Sequence, residues 1–156
     1  MHGLQPLELR KVLNAYARRG VFRSLSETHS NAGVTFRFQW LWNTPFTMTL
    51  DPKGALVFKS VLRGVERGSA IESGVKQFLQ DCQSEERVAH RRLDRRSVGV
   101  SYSNRGSAGT FRFRIKDGDM ENGAKKAVQV VNEIFVDYLS THHPSYLVEH
   151  FRVSED

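Results

Sequence analysis

Cysteine is almost absent. Cys82 is the only one in 156 residues, which excludes an internal disulfide, a CxxC metal motif and the stapled scaffold of small secreted domains. A reducing compartment fits, and a cytoplasmic protein is expected. Long apolar runs are missing as well, none approaching the roughly 20 residues that span a bilayer. The opening stretch, MHGLQPLELRKVLNAYARRG, mixes charges into its apolar residues and lacks the unbroken apolar segment of a signal peptide. There is no GxSxG elbow, no Walker loop and no GxGxxG turn, so nothing points to a nucleophilic, nucleotide-dependent or dinucleotide-dependent enzyme. Carboxylates are outnumbered, 17 Asp plus Glu against 23 Lys plus Arg, for a formal charge of +6. That surplus tilts the chain modestly toward acidic or polyanionic partners.

What is present suits one globular domain over residues 1–156. The composition is 39% hydrophobic, 10% aromatic and 26% charged, too apolar for a disordered chain. A domain of this length buries on the order of 70% of its unfolded surface. No stretch reads as a linker or a low-complexity segment.

The periodicities then order the elements. Pro6 suits a helix start, and Leu9, Val12, Leu13 and Tyr16 follow at helical spacing up to Gly20. VFRSLSET is a weak strand and SNAG a turn. In VTFRFQWLW, Val34, Phe36, Phe38, Trp40 and Trp42 alternate with Thr35, Arg37 and Gln39, a strong strand that Pro45 is expected to close. Phe46, Met48 and Leu50 lead into the turn DPKG and the return strand ALVFKSVL, apolar on both faces near Val57 and so expected inside the sheet. Ser69 and Glu72 form a capping box ahead of a stripe of Ile71, Val75, Phe78, Leu79 and Cys82. Residues 84–96 read either as a continuation of that helix, fraying before Leu93, or as a solvated loop. Val98, Val100 and Tyr102, then NRGSAG, then TFRFRIK make a second hairpin. Asp119 is placed to cap the longest helix, whose stripe runs from Ala124 to Tyr138, and Pro144 ends or kinks it before an amphipathic tail. The fold class expected is α+β: a mainly antiparallel sheet of about six strands, order α-ββββ-α-ββ-α, with three helices packed on one face.

TFRF occurs at both Thr35–Phe38 and Thr110–Phe113, and in each copy an aromatic ring alternates with an arginine. With the rings turned inward, the other face carries Thr35, Arg37, Gln39, Thr47, Thr49, Gly99, Ser101, Ser103, Arg112, Arg114 and Lys116. Arg37, Gln39, Arg112, Arg114 and Lys116 are therefore candidate binding residues, since guanidinium groups take carboxylates and phosphates bidentately. The alternative is a wet face covered by cationic stems and nothing more. No clear strand aromatic points outward, which disfavours a base-stacking platform. A second candidate is the basic segment RVAHRRLDRR, with Arg87, Arg91, Arg92, Arg95 and Arg96.

Histidines 142, 143 and 150 lack chelating spacing, and KDGDMENG misses the glycine and the final glutamate of a calcium loop, so no metal or other cofactor is assigned. Cys82, on an apolar helical stripe, reads as buried and inert. The element order resembles that of type III secretion chaperones and related small α+β binding proteins, and the resemblance implies a dimer that binds an extended segment of another protein. The leading expectation is a non-enzymatic, chaperone-like or adaptor domain that binds a protein partner or itself as a homodimer, through an apolar groove or an open strand edge with basic surroundings. The alternatives are a nucleic-acid-associated protein that contacts phosphates through the basic face and Arg-rich segment, and a small-ligand-binding domain with a pocket between the sheet and the last helix.

Overall fold

A computed structural model describes residues 4–151 and residue 153. Helix α1 (Leu4–Arg18) turns its apolar stripe inward, burying Leu9, Val12 and Leu13. It ends at Gly20, whose φ of 78° lets the Val21 N–H return to the Tyr16 carbonyl. Four strands follow, β1 (Arg23–Ser30), β2 (Gly33–Trp40), β3 (Thr44–Leu50) and β4 (Ala55–Arg63). Then come α2 (Ala70–Cys82), β5 (Val98–Asn104), β6 (Ala108–Ile115) and α3 (Met120–Glu133). The six strands form one antiparallel sheet in the order β1-β2-β3-β4-β6-β5. The α+β architecture and the internal position of β4 are those the alternation demands.

The layering follows from the strand period of two. Phe36, Phe38, Trp40, Phe46, Met48, Leu56, Phe58, Phe111 and Phe113 are buried and meet the buried stripes of α1, α2 and α3 in one core. Asp119 caps α3 by accepting the Asn122 N–H at 3.0 Å. Ser69 caps α2 by accepting the Glu72 N–H at 3.3 Å. The reciprocal half of that box is displaced by one residue, because Glu72 takes the N–H of Gly68.

Several sequence expectations are corrected. Trp42 is not on the strand: Leu41, Trp42 and Asn43 all have positive φ, and this turn swings the Trp42 ring toward Phe135 and Phe151. Pro45 does not close β2 but stands in β3 opposite Gln39, close enough to the turn to lose little of the ladder. Helix α2 stops at Cys82. The segment after it is a loop with one 3₁₀ turn, Ala89–Arg91, in which the Arg92 guanidinium binds the carbonyls of Glu85 and Arg87 in place of helical N–H groups. The last helix runs on through a π-helical segment, Ile134–Leu139, and a short α4 (Ser140–His142). Pro144 then opens α5 (Pro144–His150).

That final helix has a structural task. Strands β3 and β4 pair only through Thr49–Val57 and Leu50–Leu56, beside their turn. Where they part, the Tyr146 hydroxyl donates to the Arg63 carbonyl at 2.6 Å, and Phe151 stands 5.1 Å from Phe135 and 6.3 Å from Trp42, ring centre to ring centre.

Two substitutions test this arrangement. Gly33 has φ 122°, and a Cβ there would run into the Leu50 carbonyl of β3; Gly33→Ala is expected to cost on the order of 3 kcal/mol in a denaturant titration. Glu27 on β1 accepts two hydrogen bonds from Arg10 of α1 at 2.7 Å, and that fork, with some opposition from desolvation and help from His29, holds its carboxyl down to about 2. Because the folded pKa lies below the unfolded one, the pair stabilises the protein above the ordinary carboxylate range and loses its effect as the pH falls. Glu27→Gln should lower Tm at neutral pH, and the gap from wild type should close as the pH falls toward 2.

Candidate binding surface

The face opposite the helices is bare and cationic. Register aligns Thr35 and Thr49 with Val57, Arg112 and Ser101, and Arg37 with Thr47. The Thr35 and Thr49 hydroxyls bond each other at 2.9 Å. Arg37, Lys59, Arg112, Arg114 and Lys116 are exposed, while Gln39 is half-buried. Of the candidates here, Arg112 is engaged: it pairs with Asp51 in the β3–β4 turn. Burial pushes the Asp51 carboxyl upward, but the Ala55 N–H, Arg112 and the Lys53 N–H together hold it below its ordinary value. The side chains of Arg37 and Arg114 make no hydrogen bond or ion pair among the described residues. Lys116 folds across Gly99, where an added Cβ would sit 3.0 Å from Lys116 Cε.

The basic segment is largely committed inward. Glu133, 5% exposed at the end of α3, receives Arg87 at 3.0 Å and Arg91 at 2.6 Å, and Arg91 also reaches Asp137 at 3.3 Å. Arg87 additionally stands 5.5 Å from the centre of the Phe78 ring. The two guanidiniums are what permit a carboxylate at that depth, since a lone buried charge would cost several kcal/mol. Arg92 serves loop carbonyls and Arg96 pairs with Asp94, leaving Arg95 exposed without a partner among the described residues. The structure thus separates the segment from the sheet-face set, and Arg87, Arg91 and Arg92 mainly hold the loop of residues 84–97 against α3 and itself. Burial pushes the Cys82 thiol up to about 11, despite nearby Arg87, so it stays protonated at neutral pH.

The sequence suggested an open strand edge without saying which strand forms it; the two edges, β1 and β5, differ sharply. At β1 the edge carries Arg23, Glu27 and His29 and a bulge between Arg23 and Ser26, with Ser24 at φ 56°. These are the usual guards against strand addition. Strand β5, VGVSYSN, has no charge, no proline and an unbroken register from Val98–Ile115 to Asn104–Gly109.

Its open side can be derived from the ladder. Lys116 N–H bonds the Ser97 carbonyl, and Arg105 and Ala108 exchange both bonds. Bonded pairs alternate with non-bonded ones in an antiparallel ladder, so Gly99, Ser101 and Ser103 bond to β6, whereas the N–H and C=O of Val98, Val100, Tyr102 and Asn104 point away. Asp94 accepts the Val98 N–H at 2.9 Å and Arg67 donates to the Asn104 carbonyl at 2.8 Å. The Val98 carbonyl, both groups of Val100, both of Tyr102 and the Asn104 N–H are left without a partner among the described residues.

Strand β5 is held firmly from beneath. Glu72, 2% exposed, accepts the Gly68 N–H, the Tyr102 hydroxyl and the Asn104 amide, each at 2.9 Å, and Asn104 also reaches the Val65 carbonyl. The Gly68 N–H is the chief cause of the lowered Glu72 pKa; desolvation opposes it, and Tyr102, Asn104 and nearby Lys76 assist. Burial and the Glu72 carboxylate raise the Tyr102 phenol, to about 12, against a lowering contribution from Asn104. With its oxygens occupied, Glu72 serves as a fastener between α2 and β5. Beside it a cleft of about 360 Å³ opens, lined by Arg67, Lys76, Tyr102, Asn104 and Arg105 among others.

No family model, curated protein or solved structure matches this chain.

Removing the Glu133 carboxylate leaves two guanidiniums facing a site built for an anion. Glu133→Gln is expected to lower stability by about 3 kcal/mol, read as a shift of the urea midpoint, with the loop around residue 90 exchanging its amides faster.

Proposed function

We propose that this protein is a non-enzymatic protein-binding domain that receives an extended segment of its partner as a seventh strand along β5. The observation that carries this reading is the row of unpartnered backbone groups on Val98, Val100, Tyr102 and Asn104 in an edge strand with no charge, proline or bulge. In strand addition the main-chain bonds supply affinity and the neighbouring side chains supply selection. The Glu72 fastener supports it further, because an edge pinned to α2 is ordered before a partner arrives and so loses less freedom on binding.

An apolar groove is the weaker form of the same idea. The large apolar residues that stand exposed, Leu7, Val21, Val88 and Val136, belong to separate elements.

The second reading is contact between the outer face and a nucleic-acid backbone. Arg37 and Arg114, exposed on an uncovered sheet and without an internal partner, favour it. The absence of rings among the outward residues of β2, β3, β5 and β6 removes the stacking that would read bases. On that reading, affinity for an oligonucleotide falls steeply with salt and falls again in Arg37→Ala plus Arg114→Ala.

Val100→Pro separates the two. The Val100 N–H points away from β6, so proline there removes an edge donor and spares the ladder. Proteins recovered stoichiometrically on immobilised wild type should be lost on Val100→Pro and kept on Arg37→Ala plus Arg114→Ala. The opposite pattern would transfer the function to the outer face.

A further inference from the structure

We infer that the segment taken up by β5 is acidic. This rests on the strand-addition reading above and names the chemistry of its partner.

The charges that frame the open edge are arranged around both ends. At the Asn104 end stand Arg67, Lys76 and Arg105, contributed by the β4–α2 connection, α2 and the β5–β6 turn, and lining one cleft. The carboxylate in that cleft, Glu72, is 2% exposed and already accepts bonds from Gly68, Tyr102 and Asn104. It therefore offsets the cations without competing for space. Arg105 has no hydrogen-bond or ion-pair partner through its side chain among the described residues, and Lys76 approaches Glu72 only to 3.7 Å. At the Val98 end, Asp94 is occupied by Arg96, and Arg95 stands exposed. On the outer face Lys116 lies over Gly99, and Arg114 is the partner of that same glycine across the ladder.

Small outward residues make these cations accessible. Gly99, Ser101 and Ser103 leave no bulk between the β6 cations and the edge, while adjacent strands lie only about 4.8 Å apart. An incoming strand thus meets cations toward either face, whichever way its side chains alternate. A carboxylate on it gains a charge-assisted contact, and a lysine meets repulsion.

A second copy of this chain is the competing occupant, and the same charges disfavour it. Strand β5 contains no carboxylate. Antiparallel pairing of two copies about Ser101 would set the Val98 end of one against the Asn104 end of the other, bringing Arg95 toward Arg67 and Arg105 of the partner copy.

The test uses the full chain, with two capped peptides as long as β5: one alternating threonine with glutamate, the other threonine with lysine. Binding is measured at low salt by calorimetry, and the edge by amide hydrogen exchange. The glutamate peptide is expected to bind at least about tenfold tighter than the lysine peptide and to slow exchange at Val100 and Tyr102. Arg105→Glu plus Lys116→Glu should reverse the order, and Val100→Pro should abolish both effects. Equal binding of the two peptides with the edge protected would overturn the acidic preference while leaving strand addition standing. Binding of the glutamate peptide with no protection at Val100 and Tyr102, or no binding of either peptide, would overturn both. Protection of those amides that rises with protein concentration, without peptide, would make a second copy the occupant and refute the inference.

Discussion

The structure depends on one constraint, the period of two along its strands. Every bulky ring of the central strands falls on one side, and once Phe36, Phe38, Phe58, Phe111 and Phe113 are committed there, the helices have a single face to cover. The same parity puts Arg37, Arg112 and Arg114 in water. In β5 parity acts a third way, because the residues that send side chains inward also send their backbone groups to the open edge. The alternation that builds the core thus also determines which amides await a partner.

Carboxylates, buried at Glu72 and Glu133 and half-buried at Glu27, act as fasteners elsewhere in the chain. Glu27 ties α1 to β1, Glu133 ties α3 to the loop that carries Arg87 and Arg91, and Glu72 ties α2 to β5. Each fastener joins elements distant in sequence, and each uses a carboxylate more than offset by donors. These pairings consume much of the acidic complement near the core and leave Arg37, Arg95, Arg105 and Arg114 without internal counterparts among the described residues.

Much of the architecture is legible in the sequence. Strand alternation around Phe36 and Phe111, the caps Ser69 and Asp119, and the apolar stripe from Ala124 to Tyr138 each carry a local signal strong enough to fix an element. What escaped was set by distant partners. Trp42 continues the alternation perfectly, yet it leaves the strand because Phe135 and Phe151 offer it a place. The loop after Cys82 keeps a helical period at Ala89 and Leu93 but is drawn into another shape by Arg92 binding carbonyls. The candidate site was legible in half. Parity named the outward arginines, whereas the fate of Arg87 and Arg91 required knowing that Glu133 lies beneath them. The β5 edge could have been suspected from its lack of charge and proline, but its edge position is a matter of strand order, which the sequence does not print.

The central claim is that β5 is a rigid strand bonded on one side and open on the other. Residue-resolved amide hydrogen exchange on the free protein at low concentration addresses it most directly. An edge of that kind gives a strict alternation along the strand, with slow exchange at Gly99, Ser101 and Ser103, which bond to β6, and fast exchange at Val100 and Tyr102. Uniformly slow exchange along the strand would mean that the edge is already covered, and uniformly fast exchange that no ordered edge exists; either result contradicts the account.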